Sequence, residues 1–575
     1  MSEGQDMTVG QPAGAPGGQS AAELFLHQLG ACGVDYFFAN GGTDFPPIAE
    51  AFARAAESNR PVPVPMVVPH ENAAVAMAHG VYMVSGRPQA VMVHVNVGTA
   101  NTINALMDAG RDEVPLLLFA GKTPYSEGGR QGARTRYIHW AQEMFDQAGM
   151  LREAVKWDGE LRLPEQAGDL VARAMQVAMS SPRGPVYATL PRDILAAATE
   201  APLVEGRERV APASPYPDPA SIRQAAEWIA AAERPLVVTA SAGRTPEGFT
   251  ALTRLAERFA LPVVEFHPRY ANLPGDHPMH MGFLPRPLLD EADLVLVVDC
   301  DVPWIPHQEA PPAACRVVHL AEDPAFQRYP MRSFRMDLAV TSEVASGLVA
   351  LEAALDAVGV DVGQIEVRRS RLAAQSTARR SVVRAKAVPG STISPEYLSR
   401  CIGDAVGEDA IIVNEYPLRQ EHCPRQKAGT FFGLSPAGGL GWGLGAALGA
   451  KLAAPERLVV ATLGDGAYIF ANPTACHWVA QAHGLPVLAV VFNNALYGAV
   501  RNSTLAMYRE GAAARDGGRI LAELGPAPAF EALVGASGGH GERVERAADL
   551  PAALARAVAA VRDGRQALLN VICNY

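Results

Sequence analysis

Short apolar runs alternate with segments of helical periodicity along most of the chain. From about Ala21, the runs VDYFF, PMVV, QAVMVHV and PLLLFA are interleaved with helical patterns such as NAAVAMAHGVYMV. Short apolar runs bounded by turn residues are typical of buried strands, and strands that alternate with helices form parallel sheets. This first unit ends near GPVYATLPRD, which begins at Gly184.

The same alternation recurs twice further along. PLVVTA, LPVVEF, DLVLVVD and CRVVHL mark a second unit, and AIIVNE, RLVVATLGDG, LPVLAVVFNN and ALLNVI mark a third. A proline-rich stretch from Val210 to Pro219 separates the first two units. An arginine-rich segment from Val367 to Ser391, interpreted as a solvated helix and linker, separates the last two. We therefore predict an α/β protein with three doubly wound parallel-sheet domains.

The proline-rich stretch and the arginine-rich segment set the expected domain boundaries. We predict a flexible tail rich in Gly, Pro and Ser at 1–20, domains at 21–195, 215–355 and 391–575, and a linker at 356–390. The length of 575 residues is compatible with this number of domains.

Composition and charge narrow the class of protein. The chain is 49% apolar and 19% charged, which is ordinary for a soluble globular protein. A formal charge of -11 argues against nucleic acid as the main partner. No apolar run reaches the roughly 18 residues of a membrane span, and the N-terminus lacks the features of a signal peptide. The seven scattered cysteines fit neither a zinc site nor a disulfide framework. We expect a cytoplasmic protein with no membrane partner.

Polar residues follow two predicted strands of the third unit. RLVVATL precedes GDG, which contains Asp465, and LPVLAVVF precedes Asn493 and Asn494. Open α/β sheets bind ligands at the carboxyl ends of their strands. A carboxylate, an amide oxygen and a backbone carbonyl suit Mg²⁺ if a diphosphate supplies further oxygens. GDG alone is weak evidence because turns also favour these residues. GDG and NN at matching strand ends form a more specific signal.

The stretch from Gly464 to Asn494 resembles the diphosphate-binding motif of thiamine diphosphate enzymes of the pyruvate decarboxylase and acetolactate synthase superfamily. The resemblance implies pyrimidine-binding, central and diphosphate-binding domains, in that order. It implies that Asp465, the Asn494 side chain and the Leu496 carbonyl bind Mg²⁺, and that the cofactor also contacts Gly464, Gly466, Ala467 and Tyr497. The interval from Asp465 to Asn494 is slightly longer than is typical of the family, so the loop's shape is expected to differ.

The family also needs a carboxylate beside the aminopyrimidine ring. Glu71, in MVVPHENAAVAMAHG, resembles the activating glutamate, although alone it would be interpreted as a helix-start carboxylate favoured by the dipole. SPAGGLGWGLG resembles benzoylformate decarboxylases, which implies that Leu440 supports the bent cofactor and the Gly438 carbonyl accepts from its amino group. In this family the glutamate and the metal ligands come from different subunits. That implies a homodimer or homotetramer with the active site at the dimer interface.

Three positions bear on the substrate. Thr43, in FFANGGTDF, resembles a substrate-loop hydroxyl that could bind a carboxylate, but a glycine-rich turn capped by Thr or Asp explains it equally well. His94 occupies a position at which 2-oxo acid decarboxylases carry a histidine for proton transfer. A lone histidine at a strand end is also often structural. Ser503, in YGAVRNS, replaces a bulky pocket residue, which predicts a more polar or roomier acyl pocket.

Other positions are weaker candidates or departures from the family. His307, in DVPWIPHQ, resembles a second catalytic histidine of benzoylformate decarboxylases. NEYPLRQEH, from Asn414, lacks the family's hydroxyl residues near the diphosphate, so backbone groups of Pro417 and Leu418, or Arg419, would have to replace them. TASAGR in the second unit does not resemble an FAD site, so FAD is not expected.

The resemblance implies a carbon–carbon lyase dependent on thiamine diphosphate and Mg²⁺. The favoured interpretation is a decarboxylase of a small-molecule 2-oxo acid that acts through the cofactor's ylide. A carboligase of acetolactate synthase type, which forms 2-hydroxy ketones, is the first alternative. A catalytically silent subunit that binds the cofactor is the second, and the presence of Glu71, Asp465 and Asn494 argues against it.

Overall fold

The computed structural model describes residues 18–204 and 212–574. They form three α/β domains, each built on one parallel sheet, so the predicted fold class is confirmed. Residues 1–17 of the predicted tail and the start of the proline-rich stretch lie outside the described residues. Gln19–Ser20, assigned to the tail, instead pairs antiparallel with Ala198–Thr199.

The N-terminal sheet has six parallel strands, in the spatial order Val64–Val67, Tyr36–Asn40, Ala90–Val93, Leu117–Lys122, Val186–Pro191 and Trp157–Glu160. Its main helices are Ala21–Ala31, Pro46–Ser58, Glu71–Ser85, Val95–Arg111 and Ala167–Met179. The first helix begins with a capping box, in which Ser20 Oγ accepts from Glu23 N–H (3.2 Å) and the Glu23 carboxylate accepts from Ser20 N–H (2.7 Å).

The central sheet has five strands, in the order Val263–Glu265, Pro235–Thr239, Leu294–Val298, Arg316–Ala321 and Leu338–Thr341. Its helices are Pro219–Ala231, Pro246–Phe259, Leu288–Glu291 and Val344–Val358. The four strands predicted from apolar runs are present, and an edge strand of weaker apolar character was not predicted.

The C-terminal sheet has six strands, in the order Phe431–Gly433, Ile411–Glu415, Val459–Gly464, Leu488–Asn493, Ala567–Ile572 and His540–Val544. Its helices are Pro395–Val406, Trp442–Ala453, Asp465–Phe470, Pro473–Ala482, Gly498–Met507, Ala512–Arg515, Phe530–Gly535 and Leu550–Arg562. Helices cover both faces, which explains why the inner strands are apolar at nearly every position.

In each sheet the strand order reverses beside the domain's first long strand. The chain leaves that strand toward one edge and then returns to its other side, which opens a crevice at the carboxyl ends of the two strands. We call these the N-terminal, central and C-terminal crevices; they follow the register pairs Asn40 with Val93, Thr239 with Val298, and Glu415 with Leu463.

Two buried helices join the N-terminal and C-terminal domains. Glu71–Ser85 packs against Trp442–Ala453 at backbone distance, because a Cβ on Gly449 would lie 2.0 Å from the Met77 carbonyl oxygen. Only glycine permits this approach.

The segment 356–390, predicted as a linker, contains the helix Val362–Lys386. This helix is docked on the central domain: Arg368 donates to the carbonyl oxygens of Phe259 (2.8 Å) and Ala260 (3.0 Å). The helix expected within this segment is present and largely exposed, but it also packs on the central domain through buried side chains such as Arg368 and Leu372. Among the helices in the described parts of the chain, none combines the length and apolar character that a membrane span needs.

Gly449→Ala should destabilise the fold. The added Cβ would overlap the Met77 carbonyl, and overpacking of this kind costs about 1–3 kcal/mol. The urea midpoint of unfolding should fall. Gly535→Ala is the control, since a Cβ there has open space around it. Equal midpoints for the two variants would contradict the proposed helix contact.

Candidate active site

The C-terminal crevice opens into a cavity of about 640 Å³, a size typical of small-molecule sites. The ends of three neighbouring strands and the helix Gly498–Met507 form its walls. Every cofactor residue predicted in this domain lines the cavity, namely Gly438, Leu440, Gly464, Asp465, Gly466, Ala467, Asn494, Leu496 and Tyr497.

Asp465 joins two strand ends across the crevice. Its carboxylate accepts from Gly466 N–H (2.7 Å) and from Asn494 N–H (3.2 Å). Burial raises the pKa of Asp465, and the surrounding backbone N–H groups oppose that rise. The structure thus brings together the two motifs, GDG and NN, whose pairing the sequence suggested.

The loop after Asn494 has a defined shape. Asn494 Oδ1 accepts from Leu496 N–H (3.0 Å), and Ala495 between them has a φ of 53°. Positive φ is uncommon for a residue other than glycine, and such strain clusters at functional sites. Tyr497 N–H donates to the Ala522 carbonyl (2.7 Å), which holds the loop in place.

The oxygen atoms here make a partial metal site. In the portions of the chain that the structure describes, no three His, Cys, Asp or Glu side chains form a metal-binding group. A metal in this cavity would rely on the Asp465 carboxylate, the Asn494 amide oxygen and the Leu496 carbonyl. Mg²⁺ takes such hard oxygen ligands in an octahedron, so the remaining oxygens would come from a ligand and water.

Glu415 holds the loop that precedes the helix Trp442–Ala453. Its carboxylate accepts from Gly441 N–H and from Gly443 N–H, both at 2.6 Å. Burial raises the pKa of Glu415 to about 7, against the effect of these two N–H groups. The same loop carries Leu440, so Glu415 positions the residue predicted to support the cofactor.

The N-terminal domain holds this loop from the other side. Asp108 Oδ1 accepts from Gly439 N–H (2.9 Å), and Asn104 Nδ2 donates to the Leu440 carbonyl (2.9 Å). Burial raises the pKa of Asp108 to about 9, which keeps this carboxyl group neutral near pH 7.

The N-terminal crevice contains a second group of predicted residues. Glu71 begins the helix Glu71–Ser85, and its carboxylate accepts from Asn101 Nδ2 (2.7 Å). A Cβ on Gly98 would lie 3.4 Å from Glu71 Oε1, so the carboxylate rests against the helix that follows His94.

His94 forms a pair with a carboxylate at the end of its strand. Its Nδ1 lies 2.5 Å from Asp44 Oδ1, while Asp44 Oδ2 accepts from Val95 N–H (3.3 Å). The hydrogen bond to Asp44 raises the pKa of His94, and the charges of Asp44 and Glu71 add to this, against the effect of burial. The Asp44 carboxylate favours a proton on Nδ1 of His94. The other ring nitrogen, Nε2, is then the one that can exchange a proton with a ligand, and it lies 3.3 Å from the side-chain nitrogen of Gln142.

Glycines make room for this pair. A Cβ on Gly42 would lie 2.1 Å from His94 Nδ1, and a Cβ on Gly121 would lie 1.6 Å from Asp44 Oδ2. The GGTD sequence therefore serves a side-chain pair as well as a turn. Thr43 Oγ1 lies 3.4 Å from His139 Nε2 beside it.

Some predicted residues lie apart within one chain. Glu71, His94 and Thr43 do not line the C-terminal cavity, because they belong to the N-terminal crevice. Ser503 is exposed outside the cavity lining. His307 is exposed on a loop of the central domain, and in the described residues it contributes to neither crevice.

The backbone donors expected near the diphosphate are already engaged. Leu418 N–H donates to Asn414 Oδ1 (3.0 Å), and Arg419 N–H donates to Ser399 Oγ (2.9 Å). Pro417 has no N–H. The Arg419 side chain lines the cavity, so of the groups named for this segment it is the one that can still donate to a diphosphate.

The central crevice is filled by ion pairs. Arg269 lies 2.6 Å from Asp301 and 3.2 Å from Asp112 of the N-terminal domain. Arg244, the last residue of TASAGR, lies 3.4 Å from Asp299. These side chains occupy the position at which a doubly wound domain would hold a nucleotide.

Several site residues were not predicted from the sequence. Glu415 is the last residue of its strand, so it carried the same signal as GDG and could have been found, whereas Asp44 lies in the turn four residues after the strand Tyr36–Asn40. Asn101, Asp108 and Gln142 lie within helices or a loop, and no local pattern distinguishes them.

Glu415→Ala should destabilise the protein, since it leaves two buried N–H groups without partners at about 1–3 kcal/mol each. Because burial raises the pKa of Glu415 to about 7, wild-type stability falls as pH rises through that value. The difference between wild type and variant should therefore be smaller at pH 8 than at pH 6 in urea unfolding. Glu408→Ala, an exposed change, should be silent; similar effects of both changes would rule out this role.

Three family models match the chain in order. The N-terminal TPP binding domain of thiamine pyrophosphate enzymes matches residues 19–150, the central domain of these enzymes matches 222–351, and their C-terminal TPP binding domain matches 417–571. Known proteins agree with this assignment. A benzoylformate decarboxylase of Pseudomonas aeruginosa is 30% identical over 453 residues, which cover 75% of this chain and 79% of that protein.

An acetolactate synthase large subunit of Mycobacterium tuberculosis is 27% identical over 517 residues, covering 88% of this chain and 87% of that protein. In structure, the chain is similar to a thiamine diphosphate-dependent 4-hydroxybenzoylformate decarboxylase of Rhodococcus jostii, with a TM-score of 0.77 over 97% of this chain and 99% of that one. At 24% identity this likeness concerns the fold alone. The chain belongs to the thiamine pyrophosphate enzyme family.

Proposed function

We propose that this protein is a lyase dependent on thiamine diphosphate and Mg²⁺ that decarboxylates a small-molecule 2-oxo acid. The observation that carries this choice of reaction is the His94–Asp44 pair in the N-terminal crevice. Decarboxylation leaves a carbon that must gain a proton. A histidine whose pKa is raised by a hydrogen-bonded carboxylate can hold that proton near neutral pH and donate it.

The C-terminal crevice offers groups that fit the cofactor. Asp465, Asn494 and the Leu496 carbonyl would bind Mg²⁺, and the small residues of GDGA would let backbone N–H groups approach the diphosphate. The Arg419 side chain would add a positive charge in place of the family's hydroxyl groups. When bound, thiamine diphosphate supplies an electron sink for the departing carboxyl group.

The remaining residues would orient the ring and the substrate. Glu71 would bind a nitrogen of the aminopyrimidine, the Gly438 carbonyl would accept from its amino group, and Leu440 would support the ring. His94 would hold a proton at Nε2, and Thr43 would bind the substrate carboxylate. These roles follow from the family resemblance and from the placement of each residue in its crevice.

We further propose that subunits associate so that the N-terminal crevice of one faces the C-terminal crevice of another, in a homodimer or homotetramer. Glu71 and Asp465 lie in different crevices of the single chain, which supports this assembly. Large exposed apolar side chains in both domains also support it, since such side chains are typical of contact surfaces; they are Tyr137, Trp140, Phe145, Phe470 and Trp478.

The enzyme we propose does not use FAD and is cytoplasmic. The ion pairs of Arg244 and Arg269 fill the central crevice, which supports the first point. The sequence composition described above supports the second.

A carboligase is the second candidate. Gly498 and Ala499 in the cavity wall leave room for an acceptor carbonyl, and the relatives include acetolactate synthases. The products distinguish the two reactions: an aldehyde with CO₂ from a decarboxylase, or a 2-hydroxy ketone from a carboligase.

A panel of aliphatic, aromatic and acidic 2-oxo acids, with thiamine diphosphate and Mg²⁺, tests the proposed reaction. We expect CO₂ and an aldehyde from at least one substrate. Glu71→Gln should reduce kcat by about 100-fold or more, in line with loss of acid–base catalysis, while calorimetry still detects cofactor binding. Glu57→Gln, an exposed change in the same domain, should leave kcat unaltered. Unchanged kcat in Glu71→Gln, or a 2-hydroxy ketone as the main product, would reject the assignment.

Asp44→Asn should lower the pKa of His94, because the charged partner that raises it is lost. The protonated form of His94 would then persist only to a lower pH. The high-pH limb of kcat/KM should accordingly move to lower pH, and NMR of histidine-labelled protein should show the same shift. Glu50→Gln on the nearby surface is the control. A high-pH limb that stays in place in Asp44→Asn would exclude His94 as the proton donor.

A further inference from the structure

A second cavity, of about 830 Å³, lies between the central and C-terminal domains. Its walls are the helix Val362–Lys386, the loop 273–283 and the segment 420–426. It shares no lining residue with the cavity of the C-terminal crevice. We call it the interdomain cavity.

Arginine side chains dominate the charge of the interdomain cavity. Arg379, Arg380, Arg384 and Arg425 line it, and in the described parts of the chain none of them forms an ion pair. The Arg380 guanidinium donates instead to the Asp276 carbonyl (2.5 Å). None of these four guanidinium groups is held by a short ion pair, although the charge of Glu421 acts on Arg379 from a distance.

Most carboxylates of the lining already have partners. The Glu265 carboxylate lies 3.1 Å from His280. The Asp404 carboxylate lies 3.6 Å from Arg400, and that of Glu421 lies 3.5 Å from His422. The fourth carboxylate, Asp276, is exposed at the rim. With both histidines neutral, the lining carries five arginines, Arg400 included, against four carboxylates, so its formal charge is +1.

The cavity also contains buried donors without acceptors. Arg379 Nε and Arg425 Nε have no hydrogen-bond partner among the described residues. Arg425 is only 4% exposed. The other nitrogens of Arg425 donate to the carbonyls of residues 407, 408 and 410, which fixes the orientation of its guanidinium. Buried donors without partners are rare in native proteins and call for a ligand or water.

We propose that the interdomain cavity binds a small anionic molecule that carries a phosphate group or several carboxylate groups. Guanidinium groups bind both oxyanions through paired N–H donors. Arg379 and Arg384, which both line the cavity from the helix Val362–Lys386, would provide the charge, and Arg425 would provide a buried donor. The volume is enough for a metabolite larger than the anion alone.

The position of the cavity suits an effector. Residues 415–426 form one continuous segment, of which Glu415, Pro417 and Arg419 line the C-terminal cavity and Gln420 and His422 line the interdomain cavity. A ligand that orders residues 420–426 would also act on Glu415, which holds the Leu440 loop, because both belong to this segment. Binding in the interdomain cavity does not depend on the proposed reaction.

Calorimetric titration of the full-length protein, saturated with thiamine diphosphate and with Mg²⁺ kept in excess over the titrant, tests this site with inorganic pyrophosphate and with citrate at matched ionic strength, against a blank titration into the same buffer. We expect at least one of them to bind with one site per chain. The Arg379→Gln/Arg384→Gln variant should weaken that binding at least 10-fold. Arg384→Gln alone, an exposed change that should leave the fold intact, should weaken it by a smaller factor.

Arg371→Gln is the matched control, since Arg371 is exposed on the same helix and outside the lining. Thiamine diphosphate binding, measured in the double variant, separates this site from the cofactor site and should be retained. Binding of pyrophosphate alone identifies a phosphate ligand, and binding of citrate alone identifies a carboxylate. Failure of both to bind, or equal loss in Arg371→Gln, would overturn the proposal.

Discussion

The contact between the helices Glu71–Ser85 and Trp442–Ala453 is the constraint on which the candidate site depends. The two backbones touch where Gly449 meets Met77, so neither helix can slide without a clash. One helix begins at Glu71, and the other begins directly after the loop held by Glu415. Glycine packing, which allows little adjustment, therefore fixes how the first and third domains present their crevices.

The loop 438–443 beside the cavity is held by two carboxyl side chains. Glu415 and Asp108 accept from backbone N–H groups, and burial raises the pKa of both. Groups that are neutral or partly neutral near pH 7 can fix a backbone without adding a full negative charge. The charges that face the cavity are then those of Asp465 and nearby arginines such as Arg419, an arrangement compatible with a metal and an anionic ligand.

Much of the fold followed from local pattern. The apolar runs marked the inner strands of all three sheets and two edge strands, Val64–Val67 and Val263–Glu265, while less apolar edge strands such as Trp157–Glu160 were missed because a solvent-exposed edge needs no apolar run. In the site, strand-end motifs identified Asp465 and Asn494. Partnerships such as Asp44 with His94, or Asp108 with the Gly439 N–H, depend on tertiary contacts that no spacing encodes.

The filled central crevice has a consequence for how this middle domain could change in evolution. Arg269 is buried between Asp301 and Asp112. Loss of Arg269 would leave two buried carboxylates without the cation that faces them, and the free-energy penalty of such a state is on the order of 3–5 kcal/mol. Single substitutions that would open room for a nucleotide therefore pass through unstable intermediates. Proteins that carry this network could therefore acquire a nucleotide site in the central domain only if several compensating substitutions occurred together.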